Sequence, residues 1–122
     1  MLEQGGGTIV NNASVLGSDR DFGGAAYVRT KHGVVGLTKS AALKFATRNI
    51  GVTSVCPGYT MTDLTAGTLT DPEKLEKAMD KLPTGRNAEP EEIAQTVLWL
   101  CGDASSYITG QSIAPDGGWS VW

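Results

Sequence analysis

The sequence has little of the residue types on which several common kinds of site depend. His32 is the only histidine, which argues against a histidine-based catalytic triad and against a zinc site. Cys56 and Cys101 are the only cysteines, and they stand far apart in apolar segments. A disulfide framework or a metal cluster needs more ligands at closer spacing. We therefore expect two buried reduced thiols and no metal.

Long runs of basic residues and long runs of apolar residues are also missing. No basic block occurs and the formal net charge is −3, which gives no support for nucleic-acid binding. No apolar run is long enough to cross a bilayer. The first ten residues have neither the basic nor the apolar part of a secretory signal. We therefore expect a cytoplasmic protein with neither a membrane nor a nucleic acid as partner.

What is present fits one small domain. The 122 residues are 40% hydrophobic and 19% charged, which is ordinary for a globular chain with a buried core. The 16 glycines indicate many tight turns or close backbone approaches. No repeat, low-complexity tract or linker divides the chain, so residues 1–122 are predicted to form a single domain.

Hydrophobic periodicity and turn signals predict strands that alternate with helices. The predicted order is strand 8–10, helix 25–48, strand 50–56, helix 72–81, helix 90–102 and strand 111–115. Residues 15–24 and 59–70 are predicted loops, and 5–7 a flexible turn. Alternation favours parallel pairing through right-handed crossovers. The expected fold class is α/β, a three-layer sandwich of about three parallel strands with helices on both faces.

Gly33 and Gly36 interrupt the long predicted helix 25–48. A glycine inside a helix costs about 1 kcal/mol relative to alanine. We therefore expect another helix or a ligand to approach the backbone closely at both positions.

Tyr27 and Lys31 stand four positions apart at the start of this helix, and residues at that spacing share one face. An ammonium beside a phenol favours the phenolate: at an effective dielectric constant of ~20, a unit charge some 4 Å away contributes roughly 4 kcal/mol. A tyrosine that exchanges its proton easily can act as acid or base in catalysis. A chance pattern on a helix surface is the alternative, and the two residues alone do not decide between these interpretations.

Three further motifs accompany this pair. Ser14 stands thirteen positions before Tyr27, at the end of a predicted strand. The other two are the segment Pro57-Gly58-Tyr59-Thr60-Met61-Thr62, and the segment Tyr107-Ile108-Thr109-Gly110-Gln111 followed by Asp116-Gly117-Gly118. In this order and spacing, the motifs make residues 5–119 resemble the C-terminal half of the short-chain dehydrogenase/reductase family. The resemblance implies a truncated Rossmann-like form of the α/β sandwich.

The resemblance implies a role for each matching position. Tyr27 would be the acid/base that exchanges a proton with the carbonyl or alcohol oxygen, and Ser14 would hold that oxygen by a hydrogen bond. Lys31 would favour the phenolate form of Tyr27 and bind the nicotinamide ribose. The catalytic set is then Ser14, Tyr27 and Lys31, and the residues that bind NAD or NADP are Tyr27, Lys31, Pro57, Gly58, Thr60 and Thr62.

Several of these positions have a structural alternative. Ser14 could cap a turn, Thr62 could be an N-cap for the next segment, and Pro57 with Gly58 could simply end a strand.

The Gly-rich phosphate loop of the family has no counterpart in the sequence. Such a loop links a strand to a helix, whereas Gly5, Gly6 and Gly7 precede a predicted strand. The residue that would select NAD or NADP and the helix-borne catalytic Asn of the family have no match either. We therefore expect the dinucleotide-binding half to be absent and binding of NAD or NADP by this chain alone to be impaired.

A sheet without the inner neighbour of the Ile9 strand would present an unpaired apolar edge, which is a template for pairing with another chain. We therefore expect a homo-oligomer. Either the Ile9 strands of two copies pair, or the long helices pack across a two-fold axis. A chain that supplies the missing N-terminal half is a second expected partner.

The function implied by the resemblance is that of an oxidoreductase segment for an alcohol or ketone, dependent on NAD(P)(H) and weak or inactive alone. The alternative is a non-catalytic relic of the family that oligomerises or binds a ligand. A truncation product of a longer protein is a third interpretation. Region 59–70 would line the substrate pocket, and it has no charged cluster that indicates a phosphate or carboxylate.

Overall fold

A computed structural model describes residues 1–17, 24–80 and 82–121, with residues 68 and 69 as backbone only. Within these ranges, strands alternate with helices as the sequence predicts. The elements are β1 (Gly7–Asn12), α1 (Ala25–Phe45), β2 (Ile50–Val55), α2 (Asp63–Leu69), α3 (Pro72–Met79), α4 (Pro90–Cys101) and β3 (Ser112–Ile113).

The strands form one parallel sheet in the order β1-β2-β3. β1 and β2 pair over six residues, from Gly7 opposite Ile50 to Asn12 opposite Val55. β3 pairs regularly with only the last two residues of β2, and backbone bonds such as Gly58 N to Pro115 O continue the contact. The predicted α/β class with three parallel strands is confirmed.

Helices cover both faces of this sheet. Ile50 and Val52 of β2 pack against Ala42 of α1 in one apolar cluster. The alternate residues Thr53 and Val55 point to the opposite face and are 1% exposed. α4 contacts both β1 and β2. Because β2 is covered on both faces and paired on both edges, it forms the centre of the core.

The long helix α1 begins where the sequence predicts and ends earlier. A 3₁₀ turn, Ala46–Arg48, follows Phe45, and Asn49 then adopts a left-handed conformation with φ of 56°. Asparagine is one of the few residues other than glycine that tolerate this conformation, so it ends the helix. The predicted helix 25–48 is thus correct apart from its last turn.

No residue in the described part of the chain makes the expected close approach at Gly33 and Gly36, so the approach of a ligand or of another copy there stays a prediction. A Cβ atom placed on either glycine meets no atom within 4 Å. Both positions lie on the exposed side of α1. Their cost in helix stability is therefore not explained by packing inside this chain.

The predicted loop 59–70 is also wrong, because α2 occupies most of it. Thr62 is the N-cap of α2, and its backbone N–H donates to Thr65 Oγ1 over 3.1 Å. Threonine and glycine have low helix propensity, which conceals the helix in the sequence. The next helix, α3, was visible because Asp71 caps its first turn and Pro72 begins it.

Two other predicted irregular segments are more ordered than expected. The predicted loop 15–24 begins with a 3₁₀ turn, Val15–Gly17, and its positions 18–23 lie outside the described residues. The predicted flexible turn at 5–7 is hydrogen-bonded: Gly6 N donates to Met1 O over 3.1 Å, and Gly7 is already the first residue of β1.

Strand β1 lies at an edge of the sheet, and its Ile9 side chain is 38% exposed. Cys56 is buried as expected, but Cys101 is exposed at the end of α4, so the expectation of two buried thiols is half wrong. No helix in the described ranges has both the length and the apolar character needed to cross a membrane.

Candidate active site

A cavity of about 440 Å³ lies where β1 and β2 end and α1 begins. This is the edge at which parallel α/β sheets place their ligands. Its lining contains every residue that the sequence predicts for the site, namely Ser14, Tyr27, Lys31, Pro57, Gly58, Thr60 and Thr62. The fold therefore brings together three separate stretches of sequence.

Ser14 lies directly after β1 and is 8% exposed. The backbone on each side of it is fixed, since Ala13 N donates to Val55 O and Val15 N to Pro57 O. Ser14 Oγ accepts a hydrogen bond from Leu16 N over 3.2 Å, so the residue does cap a turn. A hydroxyl that accepts one bond still has its own proton to donate, and that proton can serve a substrate oxygen.

Tyr27 and Lys31 occupy successive turns of α1 and face the same cavity. Lys31 Nζ lies 5.5 Å from the centroid of the Tyr27 ring, within the range of a cation–π contact. It also donates to the backbone carbonyl of Asn12 over 3.0 Å. Within the described chain this carbonyl is the one acceptor of the ammonium, whose other protons can bind a ligand.

The segment after β2 forms the opposite wall. Gly58 passes so close to Asp116 that a Cβ atom would lie 2.8 Å from the Asp116 Cα and 2.9 Å from its Cβ. Thr60 is 8% exposed, and its hydroxyl donates to the carbonyl of Gly58 over 3.1 Å. Pro57 and Gly58 thus do end a strand, and the position of Gly58 additionally requires the absence of a side chain.

Thr62 is the N-cap of α2 and also lines the cavity. The structural alternative for this residue therefore holds without excluding a ligand contact. The hydroxyl of Thr65 donates to the carbonyl of Thr60, which holds the start of α2 against the wall.

The cavity has further lining residues that the sequence did not single out. They are Leu64 and Thr65 of α2, Pro90 and Ile93 of α4, Leu16, Tyr59 and Trp119. Asp116 positions Trp119, because its two carboxylate oxygens accept from Gly118 N at 2.9 Å and Ser120 N at 3.0 Å. Tyr59, Leu64 and Thr65 belong to region 59–70, which the sequence expects to line the substrate pocket. No sequence signal identifies the others, since only the tertiary fold brings α4 and the C-terminal turn to this place.

The start of α4, which carries Pro90 and Ile93, is fixed by a charged pair. Arg86 donates to both carboxylate oxygens of Glu92 over 2.7 Å. This bond, together with the one from Glu89 N, lowers the pKa of Glu92 to about 2. The pair therefore links the connector before α4 to its first turn.

The described residues fit one end of a nicotinamide dinucleotide. The cavity volume lies in the range of small-molecule sites. Among the described residues of its lining Lys31 is the only charged one, and the hydroxyls of Thr60 and Thr62 provide polar contacts. The turns that follow β1 and β2 do not have the Gly-rich sequence that holds a pyrophosphate at a helix N-terminus.

Comparison with known proteins identifies the family. A family model described as enoyl-(acyl carrier protein) reductase matches residues 1–120. The chain belongs to this family of short-chain dehydrogenases/reductases. The 3-oxoacyl-(acyl-carrier-protein) reductase FabG of Thermotoga maritima is 45% identical over 119 residues, which cover 97% of this chain and 47% of the relative.

Solved structures of short-chain dehydrogenases/reductases agree closely. A Beutenbergia cavernae protein described as an NAD(P)-dependent gluconate 5-dehydrogenase, solved with bound NADP, matches with a TM-score of 0.96 and 41% identity. The match covers 49% of the length of that protein and 100% of this chain. An Agrobacterium tumefaciens protein described as a 2-deoxy-D-gluconate 3-dehydrogenase, also solved with bound NADP, matches with a TM-score of 0.95 and 34% identity. This match covers 99% of the present chain and 50% of that protein. This short-chain dehydrogenase/reductase thus spans about half the length of its relatives.

Proposed function

We propose that the chain carries the proton-transfer part of an NAD(P)-dependent oxidoreductase that interconverts a carbonyl compound and an alcohol. The observation that supports it is the single cavity whose lining contains Ser14, Tyr27 and Lys31. A hydrogen-bond donor, an acid/base and a cation at one cavity are the groups that a carbonyl reduction requires.

In this proposal each side chain has one task. The Ser14 hydroxyl, which accepts from Leu16 N, donates its own proton to the carbonyl oxygen and orients it, because a carbonyl oxygen can only accept. The Tyr27 hydroxyl gives its proton to the same oxygen as the new C–H bond forms. The Lys31 ammonium stabilises the phenolate that remains. A bound nicotinamide supplies the hydride. In the direction of alcohol oxidation the proton returns to the phenolate.

The cofactor would be held at its nicotinamide end. Lys31 would donate to the ribose, and the Pro57–Gly58 backbone with the Thr60 and Thr62 hydroxyls would meet the carboxamide. We infer that the chain corresponds to the C-terminal half of the family. This inference is based on the order of its motifs and on the missing Gly-rich turn. The single-domain organisation predicted for residues 1–122 is part of the same proposal.

The assignment of the chain to the C-terminal half of the family can be tested separately. If the chain holds only the nicotinamide end, nicotinamide mononucleotide should displace bound NADPH, and ADP should not. Displacement by ADP alone would assign the chain to the dinucleotide-binding half instead.

The cavity favours an uncharged carbonyl substrate. Its described lining has Lys31 as the only charged residue, and that ammonium already binds Asn12. Gluconate carries a carboxylate that would need a second cation. The Thermotoga maritima relative is named for 3-oxoacyl substrates, which have an uncharged keto group. We therefore propose a 3-oxoacyl compound rather than a sugar acid as substrate.

Tryptophan fluorescence tests cofactor binding directly. Trp119 lines the cavity, whereas Trp99 lies on α4 and is 42% exposed. Titration with NADH and NADPH should change the emission, and Trp119→Phe should remove most of that change. Trp99→Phe is the matched control and should retain it. No change in emission up to millimolar concentrations of either cofactor would contradict the proposed function.

A second candidate function is oligomerisation without catalysis, and the exposed edge of the sheet supports it. Ile9 on β1 is 38% exposed, and Leu37 and Leu43 on α1 are 63% and 86% exposed. Two copies could cover these surfaces through the strands or through the helices. A full-length relative could cover the same surfaces.

Light scattering separates these arrangements. We expect an oligomer at micromolar concentration. Ile9→Lys should dissociate it if the strands pair, because a lysine on an edge strand blocks further pairing. Leu37→Glu should dissociate it if the helices pack. A stable monomer of the unmodified chain would contradict both arrangements.

A further inference from the structure

The proposed site combines side chains from two different elements. Ser14 belongs to the turn after β1, and Tyr27 with Lys31 belongs to α1. Their relative position decides whether one substrate oxygen can meet both hydroxyls. A shift of about 1 Å in such a constellation can cost on the order of 10²-fold in rate.

Gly17 brings the two elements into direct backbone contact. It closes the turn that begins at Ser14, since Gly17 N donates to Ser14 O over 2.8 Å. A Cβ atom on Gly17 would lie 2.8 Å from the carbonyl oxygen of Lys31 and 3.1 Å from its carbonyl carbon. These are helix backbone atoms and cannot rotate away. Any side chain at position 17 would therefore push the Ser14 turn away from α1 at Lys31.

A partly buried hydrogen bond joins α1 to β1, the strand that precedes the Ser14 turn. Asn11 Nδ2 in β1 donates to Thr38 Oγ1 in α1 over 2.9 Å. Thr38 is fully buried, and its hydroxyl donates to Val34 O over 2.8 Å. Both the donor and acceptor capacity of this hydroxyl are used, which fixes its orientation. The bond sets how α1 lies along β1, about two helical turns beyond Lys31.

We propose that Gly17 and the Asn11–Thr38 hydrogen bond are positioning elements for the candidate active site. Gly17 sets the distance between the Ser14 turn and α1, and the hydrogen bond sets the position of α1 along β1. Neither touches a substrate, so both act through Ser14, Tyr27 and Lys31. Their catalytic consequence rests on the proposed function, but their effect on geometry does not.

Carbon-13 NMR of the full chain labelled at the tyrosine ζ-carbon tests the geometry without cofactor or substrate. The chain has three tyrosines, and Tyr107 is fully exposed, which makes it an internal reference. We expect Gly17→Ala to move the Tyr27 signal by more than its linewidth and to leave the Tyr107 signal unchanged. Gly36→Ala, the matched control, should leave both in place. An unchanged Tyr27 signal in folded Gly17→Ala would overturn the role of Gly17.

The threonine provides a second test that does not depend on the folding of Gly17→Ala. Thr38→Val removes the hydroxyl at almost constant volume, whereas Thr38→Ser keeps it. We expect the Tyr27 signal to move in the valine variant and to return in the serine variant. Equal behaviour of the two variants would show that only packing matters, and would overturn the role of the hydrogen bond.

Turnover gives the catalytic readout and is separable from the NMR result. If the proposed function holds, Gly17→Ala lowers kcat by about 10²-fold with a smaller change in KM for the cofactor. If the chain binds no cofactor at all, the proposed function fails while the NMR comparison still decides the geometry. An unchanged kcat in Gly17→Ala together with a moved Tyr27 signal would overturn the catalytic part of the proposal.

Discussion

The two sides of α1 show opposite uses of glycine. On the cavity side, Gly17 and Gly58 lie so close to other backbone that a methyl group would clash. On the outer side, Gly33 and Gly36 face open space. Glycine is thus required where segments of this chain cross, and it only lowers helix stability where they do not. The difference separates a tightly constrained site from a surface that the described residues leave exposed.

The largest expected effect is on the cavity side and concerns catalysis. Tyr27→Phe removes the proposed proton donor and keeps the ring next to Lys31. We expect NAD(P)H-dependent reduction of a 3-oxoacyl substrate to fall by about 10²–10⁴-fold, the usual contribution of an acid/base. Leu43→Ala on the outer side should keep the rate of the unmodified chain. A spectrophotometric assay at 340 nm, the absorption of reduced nicotinamide, measures both; equal rates would remove Tyr27 from the mechanism.

The next effect is on stability at the wall of the cavity. Gly58→Ala forces a methyl group against the backbone of Asp116, and overpacking of this kind costs about 1–3 kcal/mol. Urea unfolding should show this loss as a lower midpoint. Gly51→Ala in β2 is the matched control, because its added methyl group would have ordinary contacts of 3.9 Å or more. A loss of the same size in both variants would contradict a specific contact at Gly58.

A smaller effect of opposite sign is expected on the outer side. Gly36→Ala should raise the free energy of unfolding by about 0.5–1 kcal/mol, since alanine loses less backbone entropy in a helix. The same urea series measures it. A loss of stability that grows with protein concentration would instead show that another copy packs at Gly36. That result would break the contrast between the two sides of α1.

The smallest expected effect concerns the exposed ion pair between Arg86 and Glu92. The pKa of Glu92 is lowered to about 2 by Arg86, whereas an unfolded glutamate has a pKa of about 4.3. The pair therefore contributes stability above about pH 4.3, and this contribution is lost as the pH falls through about 2. Glu92→Gln should flatten the dependence of stability on pH between these values. Thermal unfolding at a series of pH values measures it, and an unchanged dependence would contradict a role of this pair.

The elements and the residues of the site differ in how well they could be predicted. β1, α1, β2 and α4 follow from periodicity, and α3 from its Asp71-Pro72 start. α2 was missed because its threonines and Gly67 favour a helix only when Thr62 caps it within the folded chain. β3 was predicted longer than its two regularly paired residues, although backbone bonds from Gln111 to Pro115 continue the contact with the chain of β2.

The residues of the site divide in the same way. Tyr27 and Lys31 were found because their spacing puts them on one face of a helix, and Ser14 was found through the resemblance to the family. Ile93 and Trp119 were not, because their elements reach the cavity only through long-range packing. The roles of all the predicted site residues stay predictions until the variants are measured.

The sequence by itself determined the alternation of strands and helices, their parallel pairing, the family, and the helix face that holds Tyr27 above Lys31. These follow from local periodicity and short spacings, which depend on backbone geometry within one element. Only the tertiary structure decided which glycines are indispensable, which side of α1 the described chain leaves exposed, and which residues close the cavity. Such properties depend on distances between segments far apart in the chain, and local geometry contains no information about them.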